Sequence, residues 1–529
     1  MKKHFLSLSA LLFAQLSSMA QSGNLDSSFG KYGIVSTDFL KRDDKITKIA
    51  IQNDGKIVAG GIALNSFDEF ALARYQKNGN LDSSFGTYGK VRTDIGIEHD
   101  EATSMIIQAD GKIVLAGYST IYKPFDYKSD FILARYKTNG SLDSSFGVNG
   151  KVSNVIGLGV AQIFAMAQQA DGKIVVVGSS ANATAGNLVV ARYKTNGTPD
   201  STFNGTGIVI TDFSTGGAGG SGVQIQKDGK IVISGGVSIG KMPSFLLARY
   251  LSDGSLDNTF GSSGIVASSI GTIEDGFGKC LLQSDGKILV IGYSWENVAL
   301  VKRTFYIMRY HTNGTLDITF GTGGRVPLSF GIKAEILTDI ALQTDGKIVA
   351  TVKIPAHDSY PSDDIGLARF NTNGTLDTTF GIKGKIVTVI GATGTSAHPS
   401  SVALQTDNKI VVGGYTADPS ATETNFMLLR YLSTPSLGIL NLSGTHSLLF
   451  YPNPVQEHTF LEYTLDREER ISIVITDIQG HIISSPVIQQ LQHAGNYKQP
   501  IALAQDLPAG YYFVTLSSEN GQQIIKIVK

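Results

Sequence analysis

The sequence predicts an all-β chain: a seven-bladed β-propeller of four-stranded blades, its N-terminal strand closing the last blade, followed by a small Ig-like β-sandwich. Three recurring patterns predict it. Leu-Asp-x-x-Phe-Gly places its Asp at 26, 82, 143, 200, 257, 317 and 377, with Pro199 for Leu and Asn204 for Gly in the fourth copy. An Asp-Gly-Lys turn recurs at Asp54, Asp110, Asp171, Asp228, Asp285 and Asp345, and once more as Asp407-Asn408-Lys409. An Arg-aromatic pair recurs at Arg74, Arg135, Arg192, Arg249, Arg309, Arg369 and Arg430. Every spacing lies between 56 and 62 residues, and self-similarity at a near-constant period marks a repeat architecture.

Each unit reads as four short strands, a to d. In the first, Ile46 to Gln52 is strand a, and Asn53-Asp54-Gly55-Lys56 is the hairpin turn. Strand b is Lys56 to Gly61, with the β-branched pair Ile57-Val58. Strand c is Phe70 to Tyr75, and strand d is Lys90 to Thr93 after the Leu81-Asp82 corner. Asn408 in the seventh turn fits, because Asn is the non-glycine residue that best tolerates positive φ. A linear solenoid would need distinct capping units, and none is present.

Phase favours a ring. The chain opens with a Leu-Asp corner and a d-type strand, Gly33 to Thr37, with no a, b or c strand before it. The last unit has a, b and c but no corner. Elsewhere the Asp lies eight residues after the Arg, whereas eight residues after Arg430 is Gly438. Asp26 is therefore expected beside Arg430, as Asp82 is beside Arg74. The Arg–Asp pairs read as salt bridges that fix the c–d corner.

Composition narrows the function. With 60 Gly against 14 Pro and no Gly-x-y period, the chain suits many tight turns and is not collagen-like. The net charge is −1 and no Lys/Arg-rich run exists, which argues against nucleic acid. Residues 1–20 read as a signal peptide: Lys2 and Lys3, the apolar run Phe5 to Leu16, then Ser18-Met19-Ala20. No later run reaches eighteen apolar residues, so no transmembrane segment is expected after its removal. Cys280 stands alone in an apolar strand pattern and reads as buried packing. The mature chain is expected to be a monomer.

The markers resemble the delta-60 repeat, a bacterial family regarded as propeller-forming. Leu-Asp-x-x-Phe-Gly, Gln-x-Asp-Gly-Lys-Ile-Val and Ala-Arg-Tyr carry the resemblance over residues 24–432. It implies a fold and an envelope setting, with no established reaction. A linker at 433–447 follows, and from Leu448 the period stops. Residues 448–529 alternate apolar and polar over Phe460 to Leu465, Ile471 to Thr476, Tyr511 to Leu516 and Ile524 to Val528. This segment resembles the C-terminal sorting domain of the type IX secretion system. Its matching motif residues include Tyr451, Pro452, Asn453 and Pro454, then Gly510, then Lys526 and Lys529. The resemblance implies the type IX machinery as a partner and delivery to the cell surface or the medium.

A residue present in all seven blades serves the blade, so function is sought where the units differ. The a–b turns and c–d corners lie on one face of a propeller, and the variable b–c and d–a connections on the other. Eleven residues before the turn Gly, four blades carry Asp44, Asp100, Asp275 and Glu335, and the other three carry Ala161, Ala218 and Ala397. These acids are ligand-binding candidates at a channel mouth, with turn capping as the alternative. The aromatic candidates are Tyr122, Tyr127, Trp295 and Tyr360, together with Tyr118, Phe125 and Tyr293, for stacking on a sugar or anchoring a protein. The seven glutamines at 52, 108, 169, 226, 283, 343 and 405 read as satisfying backbone. No metal, cofactor or catalytic motif is found: the nine histidines are scattered, and the Asp-Gly-Lys turns lack the alternating acids of a calcium loop. The reading is an exported binding, adhesion or structural module with an extracellular glycan or protein ligand. The alternative is a carbohydrate-active hydrolase or lyase using carboxylates on the variable face.

Overall fold

The computed structural model describes residues 22–95, 99–123, 126–157, 159–181, 186–213, 216–239, 242–270, 274–297, 302–331, 335–355, 362–390, 395–417, 423–433, 449–451, 455, 459–465, 467–477, 482–503, 507–518 and 521–529. Among them there is no helix, and so none long and apolar enough to cross a membrane. The chain divides into two compact units, Met1–Pro435 and Ser436–Lys529.

The first unit holds five four-stranded antiparallel sheets and one eight-stranded sheet, in which two further antiparallel sets of four are joined by a single parallel bridge between Val160 and Ser129. The first set is Asp44–Ile51, Ile57–Leu64, Asp68–Tyr75 and Lys90–Thr93, in the expected order a to d. The last set takes its fourth strand from the other end of the chain. Ile34–Thr37 pairs with Thr424–Tyr431, so the expected exchange is present. The a strands are Asp44–Ile51, His99–Ile107, Val160–Gln168, Ala218–Ile225, Glu274–Leu282, Ile336–Leu342 and Ser396–Leu404. Each packs beside the a strand of the next set, and Ser396–Leu404 packs beside Asp44–Ile51, so the order is cyclic. The cores lie between neighbouring sets: Val114, Leu133 and Phe146 of the second pack with Ile163, Val176 and Val189 of the third.

The three sequence markers converge on one node per set. Arg74 Nε lies 2.8 Å from Asp82 Oδ2, and Lys56 of the Asp-Gly-Lys turn lies 3.1 Å from the same oxygen. Asp82 Oδ1 accepts from Ser84 Oγ at 2.7 Å, and the Arg74 guanidinium stacks 4.6 Å from the Phe85 centroid. The node also reaches the neighbouring set. Arg192 Nη1 donates to Ser252 O at 2.6 Å and Arg309 Nη1 to Thr372 O at 2.7 Å. The tyrosine after the Arg reaches the other way: Tyr250 bonds Thr211 at 2.7 Å and Tyr431 bonds Thr388 at 2.9 Å. The same bonds close the ring. Arg430 pairs with Asp26 at 2.8 Å and donates to Lys77 O, while Tyr75 donates to Thr37 at 2.9 Å.

Local chemistry explains the turns. Asp54 Oδ1 accepts from Lys56 N at 3.1 Å, and its counterparts in the other six sets do the same, so these aspartates are turn formers. Asn408 sits at φ +63°, as its position in the turn required. The Gly of Leu-Asp-x-x-Phe-Gly has φ near +53°, and a Cβ on Gly86 would lie 2.3 Å from Lys90 O. Asn204 keeps the positive φ in the fourth copy.

The second unit holds two antiparallel sheets. One is Leu449–Tyr451, Thr459–Leu465 and Gly495–Ile501; the other is Ile482–Gln492, Glu469–Asp477, Tyr511–Ser518 and Gly521–Val528. Leu461, Tyr463, Ile473, Val514 and Ile527 form the shared core. Leu449–Tyr451, Ile482–Gln492 and Gly495–Ile501 go beyond the sequence expectation. Gly495–Ile501 is an edge strand carrying Pro500, with every second residue exposed, and its polar composition hid it.

In each of the seven nodes the Asp is held below the ordinary carboxylate range. Burial alone would raise it, but the Ser or Thr hydroxyl two residues on, with the Lys and Arg charges, outweighs burial. A depressed folded pKa gives stability that is present above the unfolded value, about 4, and lost as pH falls through the folded value. Acid titration followed by circular dichroism is therefore expected to hold the β-signal through pH 4 and lose it below. Arg430→Leu, which leaves Asp26 to Lys409 and Ser28 alone, should lower stability by about 3 kcal/mol in urea titration.

Candidate functional site

The four acids singled out in the sequence are all buried, at 0–4% exposure. Each accepts the backbone N–H five residues upstream: Asp44 from Phe39 at 2.7 Å, Asp100 from Ile95 at 2.6 Å, Asp275 from Ile270 at 2.6 Å and Glu335 from Phe330 at 2.6 Å. They cap the d–a connection and do not form a solvated rim. Burial pushes Asp44 up to about 7, against the Phe39 amide and with help from Asp38.

The aromatic candidates divide. Arg303 lies 4.7 Å from the Trp295 ring and 4.9 Å from that of Tyr293, so this pair stacks on a cation of its own hairpin. Tyr118 faces Glu101 across the register. Tyr122 and Tyr127 are backbone partners, but their side chains, with Phe125 and Tyr360, lie outside the described residues. Cys280 is buried, and burial raises its thiol to about 11.

One position further along strand a, ten residues before the turn residue, the sets carry Lys45, Glu101, Gln162, Gly219, Gly276, Ile336 and His398. On three consecutive sets this position is ionisable, and groups on neighbouring strands join it. His398 stacks on Tyr415 with centroids 4.6 Å apart at 15°, and Lys45 lies 5.7 Å from the Tyr415 ring. Asp363 lies 3.6 Å from His398 and 2.8 Å from Lys353. On the other side His99 Nδ1 lies 3.0 Å from Asp68.

The electrostatics sort these groups into roles. Burial lowers the His398 pKa, and Lys353 and Lys45 add to this against Asp363. Burial raises Glu101, and Asp68 raises it further, against Lys45 and His99. Lys45 thus acts on both sides of the cluster. An imidazole of lowered basicity, a carboxyl with raised proton affinity, an ammonium and a phenol supply acceptor, donor and charge along one level of neighbouring sets. Sequence reasoning passed over Lys45, Glu101 and His398 because it compared acids one position away. The available signal was the run of ionisable residues among otherwise unlike copies.

Two grooves of about 510 and 500 Å³ lie elsewhere, between neighbouring sets beside the c–d corners. Gln108, Lys112 and Arg135 line the first, and Gln169, Lys173 and Arg192 the second. These are marker residues whose cations are engaged in the nodes, so the grooves are seams of the repeat. The glutamines fall here. Gln405 alone donates to a backbone carbonyl, Gly55 O at 3.4 Å, while the Oε1 atoms of the other six have no partner among the described residues. Backbone satisfaction therefore describes one glutamine of the seven.

In the second unit, Tyr451 donates to Glu462 and accepts from Lys498 at 2.8 Å. Gly510 and Lys529 exchange backbone bonds at 2.9 and 3.0 Å, and Lys529 Nζ donates to Leu507 O at 3.0 Å. The backbone of Lys526 pairs with Phe513, while its side chain and residues 452–454 lie outside the described residues. Among the described residues no group of three or more His, Cys, Asp or Glu is placed to hold a metal ion.

A family model described as a domain of unknown function (DUF5122) β-propeller matches residues 52–85, 108–146, 169–203, 226–260, 283–320 and 343–380. A second, described as a secretion system C-terminal sorting domain, matches residues 449–529. No curated protein matches the sequence. Among solved structures, a protein of unknown function from Dyadobacter fermentans DSM 18053 is 11% identical, with 76% of this chain and 99% of that one covered at a TM-score of 0.41. The polysaccharide lyase Uly1 is also 11% identical, with 79% and 98% covered at 0.45. PorZ, a surface component of the type IX secretion system of Porphyromonas gingivalis, is 11% identical, with 91% and 81% covered at 0.24.

The raised Asp44 carboxyl gives a signed expectation. A raised folded pKa contributes stability that is complete below the unfolded value and lost as pH rises through about 7. Asp44→Asn is therefore expected to change stability little at pH 4 and to be more stable than the parent at pH 8, by the order of a few kcal/mol. Urea titration at the two pH values reads the difference.

Proposed function

From a chain that carries six repeats of the DUF5122 β-propeller family and ends in a type IX secretion-system sorting domain, which directs it to the cell surface or the medium, we propose an exported seven-bladed propeller that binds an extracellular glycan or protein. The seven four-stranded sets, their cyclic order and the Arg430–Asp26 pair support the blade count. The two-sheet core of the second unit supports an Ig-like sandwich. We take residues 24–432 as the propeller, 433–447 as the linker and 448–529 as the sorting domain.

The observation that carries the binding reading is the cluster of Lys45, Glu101 and His398 with Asp68, Asp363 and Tyr415. It draws on neighbouring sets at one position of strand a, where the other four sets hold Gln162, Gly219, Gly276 and Ile336. Rigid strands hold these groups, and the variable connections adjoin them.

A second reading, a glycan hydrolase or lyase, draws on the same groups. Glu101 with raised proton affinity and His398 with lowered basicity, both acted on by Lys45, are groups of the kind such acid–base chemistry uses. A glycan array and a turnover assay on the mature protein separate the two. Binding without turnover, weakened at least tenfold by His398→Ala, is expected for the module. Turnover abolished by Glu101→Gln with binding retained would establish the enzyme instead. Export has its own check: fractionation of producing cells should find the propeller at the surface or in the medium, and not as full-length chain in the periplasm.

A further inference from the structure

Every a strand is irregular at one point. Its pairing with strand b slips between Ile46 and Lys48, Ala102 and Ser104, Ile163 and Ala165, Gly220 and Gly222, Phe277 and Cys280, Leu337 and Asp339, and Pro399 and Ser401. A bulge re-aims the side chains beside it. Seven residues before the turn residue, at this irregularity, the sets carry Lys48, Ser104, Ala165, Gly222, Lys279, Asp339 and Ser401.

The three charged members of that series meet. Asp339 is 2% exposed, and its Oδ2 lies 3.1 Å from Lys48 Nζ and 3.4 Å from Lys279 Nζ. The same oxygen accepts from Ser401 Oγ and Val402 N, each at 3.1 Å, and Oδ1 accepts from Ile340 N at 3.0 Å. Lys279 comes from the set before Asp339. Lys48 comes from the first set, reaching past the seventh to the sixth, and so extends across the inner side of the a strands.

Two ammonium groups thus face one carboxylate that is already fully engaged. The carboxylate is the one acceptor for either ammonium among the described residues, although each can donate three bonds. The charges acting on Lys279 are those of Asp339 and Lys48. One positive charge is left without a counter-ion at an enclosed place, which is costly unless an anion joins it. Burial, with Lys48 adding to it against Asp339, lowers Lys279 to about 8, as an ammonium short of negative charge should be. Both lysines keep about three tenths of their side-chain surface accessible, so a small anion can reach them.

We propose that Lys48 and Lys279 form an anion site inside the ring that takes one carboxylate group, beside Asp339. The carboxylate belongs either to a free small acid or to a uronic acid residue of an acidic glycan. This goes beyond the binding cluster above, which lies three residues nearer the start of strand a and shares no residue with it.

The test is titration calorimetry on the mature protein at pH 6.5 and constant ionic strength, with acetate, glucuronate and a uronic acid oligomer, and glucose as the neutral control. Saturable binding of at least one carboxylate and none of glucose is expected. Lys48→Met and Lys279→Met should each weaken it at least tenfold, and Asp339→Asn should tighten it by removing the competing charge. Acetate and glucuronate binding alike would identify a free acid as the ligand, and binding of the oligomer alone would identify the glycan. Folding of each variant is checked by circular dichroism, and where one fails to fold the other lysine decides. Unchanged binding in a folded lysine variant would overturn the proposal, as would the absence of carboxylate binding.

Discussion

The buried Arg–Asp contact is the constraint on which the first unit depends. Asp82 and its six counterparts sit at the corner between strands c and d, in contact with an Arg, a Lys and a hydroxyl, and below a Phe in the same node. A buried ion pair adds little net stability over a well-packed apolar contact, but removing one partner is costly. Its use here is geometric. The planar guanidinium makes directional bonds to the carboxylate, to a hydroxyl of its own set and to a carbonyl of the next set. Each set is thereby held in one orientation to its neighbour. In Arg430-Tyr431 the tyrosine also bonds the preceding set, so that this dipeptide engages both flanks, whereas the sixth set carries Phe370 at this place.

That constancy leaves strand a free to vary where it enters the ring. The positions that build the node repeat in every copy, whereas positions seven and ten residues before the turn hold Lys, Glu, Gly, Ile, His, Asp and Ser in different sets. Because the nodes hold the sets in register, these varied side chains share two levels of one interior. Chemistry can therefore be assembled from single substitutions in different sets, on a repeated scaffold.

Much of this was legible in the sequence. The strand order, the turn role of Asp54 and Asn408, and the partnership of Asp26 with Arg430 followed from counting, because each rests on local turn geometry or on a fixed eight-residue spacing. The sorting domain was legible through its motif residues. The acids were legible only as two alternatives. Asp44, Asp100, Asp275 and Glu335 stood out by their absence from three sets, and the backbone N–H five residues upstream that each accepts is the turn capping read beside ligand binding. Sequence spacing shows that an acid is present, but not whether it points to water or to its own loop.

By itself, then, the sequence determined the repeat, the strand order, the chain exchange that closes it and the export address. All are encoded in contacts between residues near in the chain, or at one constant offset. Only the tertiary structure decided that Lys48, Lys279 and Asp339 meet, and that Lys45 stands between Glu101 and His398. Those residues are 56 to 353 positions apart and share only a place in the repeat. Their proximity comes from the bulge in strand a and from the cyclic packing of the sets, which brings the first and last strands of the first unit together.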